Sequence, residues 1–418
     1  MTAATWCSSA RAVSGSVPGM EALEAYARLV VRVGVNVRPG QEVLIGGQVD
    51  HVPFVRAIAE EAYRAGARHV DVDYRDPWIR RALVAEGPDD TLGWTPPWLL
   101  ARLERAAEFG AAVVNIASGS NADVYEGLDT GRLARARMPE LERMWLEAVN
   151  DRRVAWTIVA YPTERWAQET LGEPDVERLA QAVAHAMRLD LPDPAAAWNQ
   201  RMDDLEQRAG ELTQRRFSAI RYRGPGTELE VGLIDGARWM AGRERTTDGR
   251  PYVANMPTEE VFTSPHKLRA EGTVRSTRPL ALRGGIVDGL ELRLQGGAIV
   301  EARARTGEEL VQAELAVDDG ARRLGELALV DVSSRVGETD LVFRNTLFDE
   351  NAASHIAWGA GLAWTVDHLA PDERDEAGLN DSQTHTDFMV GSPDVEIDGV
   401  EDGGGAVPIL RDGAWQLN

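Results

Sequence analysis

The sequence predicts two domains: an α/β domain with a parallel sheet over residues 20–215, then an α+β domain rich in antiparallel strands over residues 216–418. Three observations support this reading. A chain of 418 residues is too long for one ordinary core. Between Met20 and Pro162, short extended runs alternate with helical runs of about ten residues or more, as in βαβ units. From Phe217 the pattern changes to short alternating runs punctuated by glycine, as in antiparallel hairpins.

The elements follow in order. "MEALEAYARLVVRV" has apolar residues at helical spacing, and Pro39-Gly40 closes that stretch before the strand "EVLIGG". "VPFVRAIAEEAYRAG" reads as a helix, "RHVDVDY" as a strand, "PPWLLARLERAAEFG" as a helix and "AAVVNIA" as a strand. "MPELERMWLEAVND" is the next helix and "VAWTIVAYP" a fourth strand. "IGGQVD", after the first strand, lacks the full phosphate-binding glycine pattern and has no lysine, so no bound nucleotide is expected. Residues 174–214 are helical, interrupted at "PDPAAAW". Beyond them "FSAIRYRGPG", "TELEVGL", "EGTVRST" and "GGIVDGLELRLQGGAIVEARA" read as strands and turns. Residues 1–19, rich in Ser, Ala and Gly, have no apolar signal-peptide region, and we expect a poorly ordered extension there.

Composition narrows the function. With 44% hydrophobic and 27% charged residues and a mean hydropathy of −0.29, the chain has a globular composition. No apolar run approaches the roughly 20 residues of a membrane span. A net charge of −22 repels nucleic acid and anionic lipid, so neither is expected as a partner, whereas metal ions and cationic groups are favoured. The single cysteine, Cys7, excludes an internal disulfide framework and fits a reducing, cytoplasmic setting.

The chemistry concentrates in four stretches. In "QTHTDFMV", His385 and Asp387 are two apart in a strand-like run, where positions i and i+2 share a face. In "LFDENAASHIAWG", Glu350 and His355 are five apart, about 140° around a continuous helix, so they cannot share its face. We expect Glu350 in the turn entering a helix, His355 on that helix, and Asp349 or Asn351 as its cap. In "ANMPTEEVFTSP", the adjacent Glu259 and Glu260 lie in an extended segment and point opposite ways, so one of them faces any given site. Glu326, in "RRLGELALVDVSS", stands just before an apolar run, where a charge is costly unless paired or metal-bound. The other histidines, His51, His69, His185, His266 and His368, have no ligand-like spacing and read as surface or packing residues.

Taken together, "MEALEAYARLVVRVGVNVRPGQEVLI", "NMPTEEVFTSP", "LGELALVD", "NTLFDENAASHIAWG" and "LNDSQTHTDFMVGS" resemble, in order and spacing, the M29 family of metallo-aminopeptidases, the thermophilic aminopeptidase T group. The resemblance runs from about Met20 to the C-terminus. It implies a catalytic C-terminal domain and a homodimer that acts on short peptides. It also implies two divalent metal ions, zinc, cobalt or manganese, on Glu260, Glu326, Glu350, His355, His385 and Asp387. Glu260 is chosen over Glu259 because its spacing to Glu326 matches the family's. Glu326 is the candidate bridging carboxylate or general base.

One position departs from the family. Leu362 stands where it has a tyrosine thought to stabilise the transition state, and loss of one such donor costs about 2.7–4 kcal/mol. Trp358, in place of a leucine, either narrows the pocket or packs in the core. Two alternatives stand beside the peptidase. One is a mononuclear non-haem iron ring-cleaving dioxygenase using His355, His385 and Asp387. The other is a catalytically weak metal- and peptide-binding homologue.

Overall fold

The computed structural model describes residues 20–119, 121–283 and 285–417. The extension expected at residues 1–19, with Cys7, lies outside them.

The N-terminal half is a four-stranded parallel sheet: β1 (Glu42–Gln48), β2 (His69–Arg75), β3 (Ala112–Ala117) and β4 (Ala155–Ala160), in the order β2-β1-β3-β4. Helices Val52–Arg64, Pro97–Glu108 and Pro139–Asn150 fall where periodicity placed them. Their apolar stripes bury Phe54, Ile58 and Ala107 in clusters with sheet residues, and the inner strands bury Val43, Ile45 and Val114 completely. The first helix is shorter than the sequence suggests: α-helix covers Met20–Leu29, and the valine-rich Val30–Gly34 winds into a π-turn. A helix over Pro77–Glu86 was not read from the pattern. Its start was nonetheless written in the sequence, because the Asp76 carboxylate accepts a hydrogen bond from the Trp78 N–H and Pro77 opens the first turn.

The helical stretch before the change of character forms Val176–Ala186 and Pro194–Arg215, broken where the proline-bearing segment interrupts it. Beyond it the chain is antiparallel. An eight-stranded sheet includes Ala219–Gly224, Thr227–Leu233 and Pro265–Arg275. A five-stranded sheet comprises β5 (Met240–Ala241), β6 (Glu260–Thr263), β7 (Leu324–Val330), β8 (His355–Gly359) and β9 (His385–Met389), in the order β9-β8-β7-β6-β5.

The two halves share one apolar core, continuous from Leu29 and Val30 through Ile45 and Val114 to Leu327, Leu329 and Ile356. Polar seams join them as well. Residues 254–256 lie along the edge of β4, with Ile158 N–H donating to the Ala254 carbonyl and Met256 N–H to the Ile158 carbonyl. Asn345 Nδ2 donates to the Ser118 carbonyl just past β3, and Trp166 Nε1 to the Phe343 carbonyl. The C-terminal ends of β3 and β4, where open α/β sheets present ligands, therefore abut the segments leading to Glu260 and Glu350.

Candidate metal centre

Strands β6 to β9 aim their functional side chains at one face. In register, Glu326 and Asp387 both oppose Ala357, one from each side of β8, and Ala328 opposes His355. Because alternate residues share a face, His355, Ala357, His385, Asp387, Ala328 and Glu326 all face the same way, and Glu260 joins them from β6, two residues from Phe262, which opposes Ala328. The methyl groups of Ala328 and Ala357 leave room between the longer polar groups. A bulge between Leu324 and Glu326 carries the strand past two glycines that permit the close approach. A Cβ on Gly325 would lie 2.2 Å from the Ala360 carbonyl oxygen. One on Gly359, at φ 101°, would lie 2.2 Å from that of Thr384.

Two triplets result, Glu260–Glu326–His355 and Glu326–His385–Asp387, each with candidate ligand atoms within 4.8 Å of one another. His355 Nε2 lies 3.1 Å from Glu260 Oε2 and 4.0 Å from Asp387 Oδ1. His385 Nε2 lies 3.0 Å from Glu326 Oε2 and 3.5 Å from Asp387 Oδ1. The far ring nitrogens are engaged by main chain: His355 Nδ1 is 3.3 Å from the Ala353 carbonyl and His385 Nδ1 2.8 Å from that of Ala360. Such contacts hold a proton on Nδ1 and turn Nε2 toward the carboxylates, the orientation an imidazole ligand needs once a cation displaces the Nε2 proton.

The donor set fits divalent cations. Glu260 Oε2 and Asp387 Oδ1 are buried with no aligned hydrogen bond among the described residues, facing only the two imidazoles, which leaves negative charge that a divalent cation would balance. Burial works against the charged form of His355, but Glu260, Asp387 and Glu326 outweigh it and push the imidazole up to about 10. His385 is likewise raised, its burial overcome by Asp387 and Glu326. Burial raises the Glu326 carboxyl against the pull of His385, and Asp387 and Glu260 add to the rise. For Asp387 burial is outweighed by the two imidazoles, and its carboxyl falls. Imidazole nitrogen and carboxylate oxygen without thiolate is a donor set for divalent transition metals.

Several expectations need correction. His355 is not on a helix: the helix is only Thr346–Asp349, Glu350–Ala352 forms a 3₁₀ turn, and His355 opens strand β8. Extended pairing on both sides wins there over helix continuation. Neither Asp349 nor Asn351 caps that helix; Asn345 does, through the Leu347 N–H. Asp349 instead accepts from the Phe343 and Asn345 N–H groups. Glu326 is the third residue of β7 rather than a residue ahead of it. Glu350, a ligand by the family resemblance, lies beside the two triplets and stays a candidate for the centre. It lies near enough that, after burial, Glu260 and Asp387 drive its carboxyl well above the usual range. Trp358 points to the opposite sheet face, fully buried with its ring 5.4 Å from Phe388, so it packs in the core rather than narrowing the site. Leu362 is half-buried, its N–H donating to Ser264 Oγ.

Glu259 and Glu260 point opposite ways. The Glu259 carboxylate lies against Arg188 and Arg201, and its N–H donates to Asn351 Oδ1, next to Glu350. The arginines escaped sequence reasoning because they sit 71 and 58 residues away, with no local pattern to mark them.

The model of the thermophilic metalloprotease family M29 matches residues 20–415. Aminopeptidase T of Thermus aquaticus is 42% identical over 404 residues, 95% of this chain and 99% of its own. Aminopeptidase 2 of Geobacillus stearothermophilus is 38% identical, with 94% and 97% covered. The solved structure of wild-type AmpT from Thermus thermophilus superposes with a TM-score of 0.89 at 40% identity, covering 95% of this chain and 99% of that one.

Proposed function

Because the chain belongs to the M29 family of thermophilic metalloproteases, we propose that it is an aminopeptidase with a dinuclear metal centre that removes N-terminal residues from short peptides. The carrying observation is the pair of triplets sharing Glu326. Glu260 and His355 would hold one divalent ion and His385 and Asp387 the other, with Glu326, common to both triplets, shared between them. Two such ions would supply a water of lowered pKa and a Lewis acid for the scissile carbonyl. The surplus of carboxylates around the centre attracts the protonated α-amine of a peptide, which selects the chain's first residue for cleavage.

The bridging position gives the general-base role to Glu350 more readily than to Glu326. A carboxylate shared by two cations is a poor proton acceptor, whereas Glu350 lies beside the centre but outside both triplets. Glu350→Gln should therefore keep both ions and lose turnover, while Glu326→Gln should lose ions.

The relatives reported above are peptidases by name, and the dioxygenase reading finds no support in them; it also leaves Glu260, Glu326 and Glu350 without a role. Among the described residues no helix is long and apolar enough to cross a membrane. The family likeness and the lone cysteine support a cytoplasmic homodimer, and light scattering of the purified protein checks the dimer. Leu362 favours slow turnover as a second reading, and Leu362→Tyr should then raise kcat, by as much as about 100-fold if the added hydroxyl reaches the developing oxyanion. The main test counts metal per chain and assays a peptide library with and without chelator. About two ions and chelator-sensitive release of single N-terminal residues are expected. A metal-loaded chain that leaves every peptide intact would overturn the proposal.

A further inference from the structure

We propose that Arg201 and Arg188 are positioning residues for the metal ligand Glu260 and its neighbour strand β7, acting from the sheet face opposite the ions. The proposal rests on the dinuclear reading above. In the β6–β7 ladder Glu260 opposes Val330. The next residue outward on each strand, Glu259 and Asp331, points to the reverse face. Arg201 spans that pair: its Nε lies 2.7 Å from Glu259 Oε2 and its Nη2 3.6 Å from Asp331 Oδ1. The same Nη2 donates to the Glu259 carbonyl at 3.2 Å, and Nη1 donates to Ser333 Oγ at 3.1 Å. Arg188 forks onto both Glu259 oxygens at 2.6 and 3.0 Å, and its guanidinium lies 4.9 Å over the Trp198 ring. Arg208 holds the other Asp331 oxygen at 2.7 Å.

Arg201, Arg188, Glu259 and Asp331 are each at most 7% exposed. Buried ion pairs of this kind contribute little net stability compared with apolar side chains of similar volume, so what the network supplies is geometry. Arg201 and Arg208 come from the long helix Pro194–Arg215 and Arg188 from just past Val176–Ala186. The helical half thereby fixes the register of the two strands that bear Glu260 and Glu326. Ligand atoms need placement within a fraction of an ångström, and outer groups that orient ligands typically set metal affinity by about 10- to 100-fold.

Arg201→Lys keeps the charge but cannot span both carboxylates, and Asp331→Asn keeps the shape but breaks the bridge from the other end. Zinc and manganese dissociation constants, from competition with a chromophoric chelator, are measured beside the melting temperature of the chelator-treated protein. Either variant should bind more weakly by about tenfold or more, including under conditions where both proteins are fully folded. Melting temperatures that fall while dissociation constants stay within about twofold of wild type would reduce the network to packing between the halves and overturn the proposal. Should Arg201→Lys fail to fold, Asp331→Asn decides alone. Wild-type protein that takes up neither ion sinks the dinuclear reading itself, an outcome distinct from variants that match a metal-binding wild type.

Discussion

His51 and His355 are equally hidden, 0% and 1% exposed, yet their acid–base behaviour diverges. His51 closes the turn after β1, with its Nδ1 accepting the Gln48 N–H at 3.0 Å and its ring edge-on to Tyr161. Burial, helped by Arg75, pushes it down to about 4. His355, among three carboxylates, goes up to about 10. Burial alone favours the neutral ring in both places, so the neighbours decide. Among the described residues, the pocket around His51 holds no carboxylate that offsets its burial, whereas the five-stranded sheet gathers negative charge around His355.

The largest effect should come from breaking the second region. His355→Ala removes an imidazole from one triplet and is expected to lower kcat/KM by at least about 1,000-fold, no less than losing an oxyanion donor. Circular dichroism and the remaining ion per chain show whether the fold and the other triplet survive.

Next in size is the acid response of the first region. His51 has its folded-state pKa below the ordinary 6.5, so its contribution is fully present above pH 6.5 and is lost as pH falls toward 4. The loss is about 3 kcal/mol. His51→Gln keeps an acceptor for the Gln48 N–H but does not titrate. Its urea midpoint should fall less than that of wild type between pH 7 and 4.5, and parallel profiles would refute the assignment.

The contrast can be sharpened within the site. In metal-stripped protein, Glu260→Gln should lower the His355 pKa by more than about one unit, read by NMR, because Glu260 is the main group raising it. A value still near 10 would mean that the wrong neighbour has been credited. The smallest effect is the control. Arg143 and Glu147 form an exposed i,i+4 pair at 2.6 Å, and Arg143→Ala should shift stability by no more than about 0.5 kcal/mol in thermal melts.

Much of this was legible in the chain itself, for physical reasons that also mark where legibility stopped. The two-residue period of a strand was enough to pair His385 with Asp387 and to separate Glu259 from Glu260. The βαβ alternation gave the parallel sheet, since its helices have strong apolar stripes. His355 was misplaced because "HIAWG" is a five-residue apolar run whose extended state depends on partners at Ala328 and Met389, far away in sequence. Arg188 and Arg201 left no local trace, because a buried arginine on a helix looks like any solvent-facing one until the strand it meets is known.

Glu326 belongs to both triplets. If the centre is dinuclear as proposed, damage at Glu260 or His355 would disable one half of it and damage at His385 or Asp387 the other, so each would leave a chain able to retain a single ion. A lesion at Glu326 has no such intermediate. Sequence drift can thus degrade this centre stepwise through four positions, but through the fifth only all at once.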